Sequence, residues 1–350
     1  MSPSNRPTIH DVARLANVSL ATVDRVLNQR PGVRLVTAER VAMAVRQLGY
    51  VRDVGAANLA RQRSYPLLFI LPEGSNAFMR GLEQQVRQLQ AHASSERVSL
   101  HIQLVPPLDS SALVAALRAV DPARFAGVAL VATDSAPVIA AMNALVAQGV
   151  PVVTLVSDVP QSRRSHYAGI NNVAAGRTAA SLLGRFLHGQ GGAVAVLAGS
   201  MLLRDHVERH LGFMQVMQAE FTALTVLPVL EGRDESGTVA RLMAACLQAQ
   251  PTLCGVYSLG AGNRGLISAL QQAGKAGRVK VVAHELTDYA RDALLDGTFD
   301  VVLNQDAGHE VRSAVRVLKA QLDGQPVLEA QERIRIDVFL RDNMPDVYNG

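Results

Sequence analysis

The chain has 350 residues, 49% of them hydrophobic and 18% charged, which is enough for a sizeable core over two or three domains and excludes a disordered chain. Two cysteines, Cys246 and Cys254, exclude a disulfide framework or a four-ligand zinc arrangement, and both are expected in the core. The net charge of +4 is unevenly spread: residues 1–65 hold ten arginines against four acids, +6, which leaves the other 285 residues at −2. A basic head on a faintly acidic body is the asymmetry of a nucleic-acid-binding module joined to a separate domain.

The N-terminus "MSPSNRPTIHDVARLANVS" carries Asp11 and several polar residues where a secretory signal needs an apolar stretch, so a cytoplasmic protein is expected. In "PTIHDVARLANVSLATVDRVLNQR" the spacing predicts two short helices and a tight turn. Thr8 is placed to cap the first, whose Ile9, Val12, Ala13 and Ala16 share one apolar face. Asn17 stands where the chain must reverse, and Asn tolerates the left-handed conformation such a turn demands. Ser19 is placed to cap the second helix, with Val23, Val26 and Leu27 facing inward and Leu20, Ala21, Asp24, Arg25 and Asn28 on other faces. A third helix, "TAERVAMAVRQLGY", is expected to begin at Thr37 and to pack Val41, Ala44, Val45 and Leu48 under the first two. This is a helix-turn-helix, whose second helix enters the major groove while cap hydroxyls and backbone N–H groups grip phosphate.

Followed by "LGY" and "AANLARQRS" in that order, this head resembles the headpiece and hinge of the lactose-repressor (LacI/GalR) family of bacterial transcription regulators. The resemblance implies that Leu20, Ala21 and Arg25 occupy base-reading positions and that Ser19, Thr22 and Asn28 contact the DNA backbone or hold the helix in place. Arg25 can bond guanine O6 and N7 together, whereas Leu20 and Ala21 offer apolar contacts such as to a thymine methyl. The resemblance further implies that "DVGAANLARQRS" is a hinge helix that folds on operator DNA, pairs with its dimer mate and wedges Leu59, with Ala56 beside it, into the minor groove. Gly55 weakens that helix by about 0.5 to 1 kcal/mol relative to Ala, as suits a segment that orders on binding. Asp24 stands where the family usually has Ser, and Arg52 and Asp53 where it often has Pro-Asn.

From Tyr65 onward apolar strand-length runs alternate with helical periods: "YPLLFILP", "VSLHIQLV", "FAGVALVAT", "VPVVTLV", "GAVAVLAG", "TALTVLPVL", "LCGVYSL", "VKVVAH" and "VVLNQ". None is long enough to span a bilayer. The alternation predicts parallel sheets covered by helices on both faces, and a break near "HYAGINNVAAGR" divides the strands into two α/β halves with a cleft between them.

Ligands of open α/β sheets bind beyond the carboxyl ends of the strands, so the loops there supply the candidates: Asn76, Phe78, Asp134, Asp158, Asn171, Asn172, Arg209, Asn263, Glu285 and Gln305. Apart from Phe78 these are amides, carboxylates and one arginine, side chains that bond a polyol's hydroxyls as both donor and acceptor. The body also resembles the periplasmic sugar-binding-protein fold of the family's effector domain. That resemblance implies that Arg209, Glu285 and Gln305 hold the ligand and that Asn76 and Phe78 match the first-strand ligand positions; Asp is frequent in the family where this chain has Glu285.

Two patterns point elsewhere. "GAGNRG", residues 260–265, spells the G-x-G-x-x-G of a dinucleotide-binding turn and has Glu285 20 residues beyond it, but it follows a late strand instead of the first, and the same turn could bring Asn263 close to a cleft ligand. In "DHVERH", His206 and His210 have the spacing of a zinc site, but Glu208 falls two residues after the first His instead of one.

The sequence thus predicts an α/β protein: a helix-turn-helix headpiece over residues 1–52, a hinge helix over 53–64, and a core over 65–350 made of two parallel-sheet, Rossmann-like subdomains of periplasmic-binding-protein type. The N-subdomain is expected at about 65–170 plus 304–326, the C-subdomain at about 171–303 plus 327–342. The expected function is a homodimeric, non-enzymatic repressor that binds double-stranded operator DNA and a sugar or polyol effector, without cofactor, metal or membrane. The rival expectations are a sugar-binding protein with no DNA role and an NAD-dependent oxidoreductase built on "GAGNRG".

Overall fold

Thr8 opens the first helix, α1 (Ile9–Ala16), with a reciprocal cap: its hydroxyl accepts from the Asp11 N–H, and the Asp11 carboxylate accepts from the Thr8 N–H at 2.9 Å. The computed structural model describes residues 7–27, 30–50, 64–74, 76–93 and 97–345. They form two compact units that meet in sequence at Arg63 and Ser64. The expected hinge therefore lies outside the described residues except for Ser64, and so do Asn28, Ala56 and Leu59.

In the head, Asn17 ends α1 in the left-handed region, φ 49° and ψ 54°. Ser19 Oγ accepts from the Thr22 N–H at 3.2 Å and caps α2 (Leu20–Leu27). The third helix, α3 (Leu35–Leu48), starts two residues before the expected Thr37: with no side-chain cap available, the Arg34 carbonyl accepts from both the Thr37 and Ala38 N–H groups and closes the first turn. Arg40 turns back to α1 and donates to the Ala16 and Asn17 carbonyls, the second at 2.9 Å, where the helix dipole favours a cation. Val12, Ala16, Val23, Val41 and Ala44 form the core, with Tyr50 packed against it.

The body holds two sheets. The first has the order β2-β1-β3-β4-β5 and is parallel throughout: β1 (Tyr65–Pro72), β2 (Val98–Val105), β3 (Gly127–Leu130), β4 (Val152–Leu155) and β5 (His166–Ala168). On one face lie α4 (Ala77–Ala93) and α12 (Ala307–Leu322), on the other α5 (Ser110–Arg118) and α6 (Ala136–Ala147). The chain thus returns to the first sheet through α12, whose Val311, Ala314 and Leu318 join the core of Leu67 and Phe69.

The second sheet has the order β12-β11-β10-β9-β6-β7, with β8 also paired to β6. It consists of β6 (Gly192–Ala198), β7 (Leu224–Val226), β8 (Leu230–Glu231), β9 (Leu253–Ser258), β10 (Lys280–His284), β11 (Val301–Asn304) and β12 (Asp337–Phe339), the last antiparallel to β11. Helices α7 (Asn172–Phe186) and α8 (Arg204–Glu220) cover one face, and α9 (Ser236–Ala249), α10 (Asn263–Gln272) and α11 (Asp288–Leu295) the other; a single turn, α13 (Glu329–Glu332), precedes β12. The expected strand "TALTVLPVL" is two strands, because Pro228 has no N–H to give to a ladder. Two short strands, β5 and β12, were not expected from the sequence.

Candidate functional site

The Arg209 side chain, 2% exposed, lies where α8 passes under the carboxyl ends of the second sheet's strands. Its Nε donates to Asn172 Oδ1 and its Nη1 to the Leu259 carbonyl, both at 2.8 Å, while Nη2 makes no hydrogen bond and faces Glu285 Oε1 as a long ion pair at 4.0 Å. Glu285 follows β10 with φ 71°, a left-handed angle unusual for a side-chain-bearing residue, held there as its N–H donates to the Leu303 carbonyl. Gln305, just past β11, donates from Nε2 to Glu285 Oε1 at 2.9 Å. Glu285 Oε2 and Gln305 Oε1 are buried without a partner. Burial pushes the Glu285 carboxyl up to about 7, against the opposing pull of Arg209 and of the Gln305 hydrogen bond.

The same buried belt extends to residues the sequence reading passed over. Glu310, on the first turn of α12, is fully buried with neither carboxylate oxygen partnered; burial, and then the neighbouring Glu285, hold its carboxyl well above the usual range. Asp205 Oδ1 is also buried and unpartnered. Tyr167 on β5 receives the Asn172 Nδ2 at 3.1 Å and so links the first sheet to Arg209 through Asn172. Phe78, Tyr289, Glu285 and Gln305 line a cleft of about 920 Å³, within the size range of small-molecule sites.

Two polar pairs cross between the sheets' loops. Asn76 caps α4 by accepting from the Phe78 and Met79 N–H groups, and its Nδ2 donates to Asp234 Oδ2 at 3.0 Å. Asp134, after β3, accepts from Arg204 Nη1 at 2.9 Å at the start of α8. Both partners, Asp234 and Arg204, are additions to the sequence reading. Asp234 carries a backbone signal, since it and Arg233 are consecutive side-chain-bearing residues at φ 58° and 53°.

The remaining candidates are engaged within their own sheet. Asp158 forms a two-pronged ion pair with Arg164 and accepts from Thr154 Oγ1 at 3.0 Å and from the Val159 N–H. Asn263 accepts from Ser258 Oγ at 2.7 Å and donates to the His284 carbonyl at 2.9 Å, tying the ends of β9 and β10 together. Asn171 caps α7 through the Ala174 N–H.

The glycines of "GAGNRG" have packing reasons. Gly262 takes φ 96° to start α10, and a Cβ on Gly265 would lie 2.0 Å from the Ser236 carbonyl oxygen of α9. A Cβ on Gly260 would meet the His206 ring at 2.9 Å, so each glycine of the turn has a packing or backbone reason of its own. In the head, Ser19, Leu20, Ala21 and Arg25 are all exposed, with Thr22 half-buried above buried Val23. Asp24 faces Arg30 at 3.6 Å.

Residues 67–326 match the family described as periplasmic binding protein domain, and residues 8–53 that of bacterial regulatory proteins, lacI family. The chain belongs to the periplasmic binding protein domain family, and its head matches the lacI family of bacterial regulatory proteins. Among curated relatives, catabolite control protein A of Priestia megaterium is 38% identical over 82 residues, and the HTH-type transcriptional regulator RegA of Clostridium saccharobutylicum 44% identical over 71. These matches span 23% and 20% of this chain, and 25% and 21% of the relatives' own lengths.

The fold of the body is shared with solved sugar-binding structures. A glucose-galactose binding protein from Geobacillus stearothermophilus aligns with a TM-score of 0.72 at 20% identity, covering 81% of this chain and 99% of its own. A solute-binding protein from Burkholderia graminis in complex with D-arabinose aligns with a TM-score of 0.73 at 23% identity, covering 80% and 96%. The likeness shows the fold of the body: two sheets of mostly parallel strands with helices on both faces. Among the described residues no helix is long and apolar enough to cross a membrane.

Proposed function

We propose that the protein is a cytoplasmic transcriptional repressor that binds operator DNA as a homodimer and is controlled by a sugar or polyol effector bound between its two α/β subdomains, residues 65–170 plus 304–326 and 171–303 plus 327–342. One observation carries the effector reading: Arg209 Nη2, Glu285 Oε2 and Gln305 Oε1 are buried without a hydrogen-bond partner in one cluster, although buried polar groups normally find partners. Hydroxyl groups, each donor and acceptor, complete such a set. Arg209, Glu285 and Gln305 hold the effector, with Phe78 as an apolar wall, while Asn76 and Asp134 act through the pairs that cross the cleft and Asp158 and Asn263 keep the loops in shape.

The DNA reading is supported by the exposed face of α2, on which Leu20, Ala21 and Arg25 stand free of the head's core. One head reads one half-site, which is the reason for a dimer. The effector changes operator affinity to the extent that it binds the released form better than the DNA-bound form. The protein turns over no substrate in this reading.

Gel-shift binding to the DNA upstream of its own gene, with and without a panel of sugars and polyols, tests both halves. A specific complex that one compound releases is expected. Arg25→Ala should abolish preference for that DNA over random sequence and leave weak, salt-sensitive binding, because the other arginines still meet phosphate. Failure of the intact protein to bind DNA specifically under any condition would remove the repressor reading, and the cleft would then belong to a sugar-binding protein.

A further inference from the structure

Beside the cleft of Glu285 and Gln305 the body holds a second, smaller cavity of about 440 Å³, a size that small molecules use. It lies at the carboxyl ends of β1, β2 and β3. Pro72, Val105, Pro106, Pro107 and Leu113 form one wall; Leu203, half-buried at the start of α8, and the loop of Arg233 and Asp234 form the other. Asn76 belongs to this cavity, while the next two residues, Ala77 and Phe78, line the larger cleft. Two residues of chain reach about 7 Å at most, so the two spaces are neighbours along the first turn of α4.

The two spaces differ in what their walls leave unpaired. The larger carries buried polar atoms without partners, Glu285 Oε2 and Gln305 Oε1, whereas none of the described residues lining the smaller one has such an atom. Its polar side chains are engaged within the protein: Asn76 with Asp234, Thr133 with Ser110 at 2.9 Å, Asp109 with the Ser111 and Ala112 N–H groups, and Glu235 with Thr238. Glu73 and Arg233 are exposed to water. A hydroxyl entering this space would exchange water for hydrocarbon at a loss, and an apolar group gains from the same move. Four acids, Glu73, Asp109, Asp234 and Glu235, stand against Arg233 on the walls and turn away an anion. The backbone agrees. Leu108, 37% exposed on the wall, is held at φ 60°, and Arg233 and Asp234 opposite at 53° and 58°; such angles on side-chain-bearing residues gather at ligand clamps. A cavity of about 150 Å³ with aliphatic walls holds a benzene ring, so this one has room for a phenyl group.

We propose that the effector is a glycoside or polyol ether whose apolar substituent, of about phenyl size, occupies the cavity at the ends of β1, β2 and β3 while its hydroxyls meet Arg209, Glu285 and Gln305. This rests on the reading of the cleft as a sugar-type effector site and narrows it to a molecule with two unlike halves. Leu203 and Leu108, on opposite walls, are specificity-determining residues. Leu203 comes from the second sheet's helix and Leu108 from the end of a strand of the first, so the substituent is held by both sheets and favours the form in which they are close.

Isothermal titration of the full-length protein tests this with the methyl, phenyl and benzyl glycosides of a panel of pentoses and hexoses, both anomers of each, and with the matching ethers of pentitols and hexitols. At least one aryl member should bind about tenfold or more tighter than its methyl partner. Leu203→Trp fills the cavity from one side, and Leu108→Gly removes an apolar group from the other at a backbone angle that glycine suits. Each should cut the aryl-to-methyl ratio by about threefold or more. Methyl and aryl members that bind alike overturn the inference and leave the sugar reading standing. An aryl preference that both variants leave whole also overturns it, and the ring then lies elsewhere in the cleft, against Phe78 or Tyr289. Absence of binding by every member of the panel overturns both readings.

Discussion

Glu285 concentrates the physics of the site in one residue: a left-handed backbone angle, a carboxyl oxygen without a partner and a proton affinity raised by burial. Because the folded-state value is near 7 and the ordinary value is 4.5, the folded protein holds a proton on this group that the unfolded chain has already lost across that window. The folded state is therefore favoured by this group below about pH 4.5, and the advantage is lost as pH rises towards 7. Glu285→Gln removes that slope. Its stability relative to the native protein should rise by up to about 3 kcal/mol between pH 4.5 and 7.5, read from denaturant unfolding at several pH values. A difference between the two proteins that stays flat with pH would show that Glu285 is ionised in the folded state throughout. Arg209 keeps its bonds to Asn172 and Leu259 in the variant, so the guanidinium is not stranded.

At the scale of elements, the contact between α9 and α10 is set by a missing side chain. Gly265→Ala would press a methyl group to 2.0 Å from the Ser236 carbonyl oxygen, which is backbone and cannot rotate away. The helices must separate, and a loss of about 1 to 3 kcal/mol in the stability of the body is expected by thermal denaturation, with the head's DNA binding unaffected when measured below the transition. A neutral substitution would mean that the turn has slack and that its glycines serve something other than packing. Here the sequence was legible in part: the glycine pattern was visible, but the reason for it, a carbonyl on a helix about 30 residues away in the chain, was not. The head was more legible because its signals are local. Thr8, Asn17 and Ser19 act on neighbours within three or four residues. The start of α3 was missed because its first turn is closed by a backbone carbonyl, which leaves no mark in the side chains. Arg209, Glu285 and Gln305 came from a family resemblance, while Glu310 was overlooked although it is an acid in the apolar stripe of Ala314, Val317 and Leu318 on α12. Asp158 drew attention as a loop carboxylate, and its partner Arg164, six residues on, is the feature that gives it a structural task.

On the scale of the whole body, the polar pairs that cross the cleft are the contacts an opening would have to break. Arg204 sits at the start of α8, one turn before Glu208, with which it also bonds, and reaches over to Asp134 at 2.9 Å. The pair is about a quarter to a third exposed, so water screens it and its worth is roughly 0.2 to 1 kcal/mol. That is enough to shift a cleft with nearly balanced open and closed forms by up to about fivefold. Arg204→Asp and Asp134→Arg should each enlarge the radius of gyration of the protein in small-angle scattering, because like charges then face each other across the cleft. The double exchange should restore the native value, and 0.5 M salt, with a screening length of about 4 Å, should shrink the difference between the single variants and the native protein. The effector tested in the same variants should bind more weakly in the singles and normally in the double, since ligand held by both sheets binds the closed form at a cost set by how rarely that form is populated. If the single variants scatter like the native protein, the crossing pair has no hold on the cleft, and closure rests on the other crossing contacts, Asn76 with Asp234 and Tyr167 with Asn172 among them.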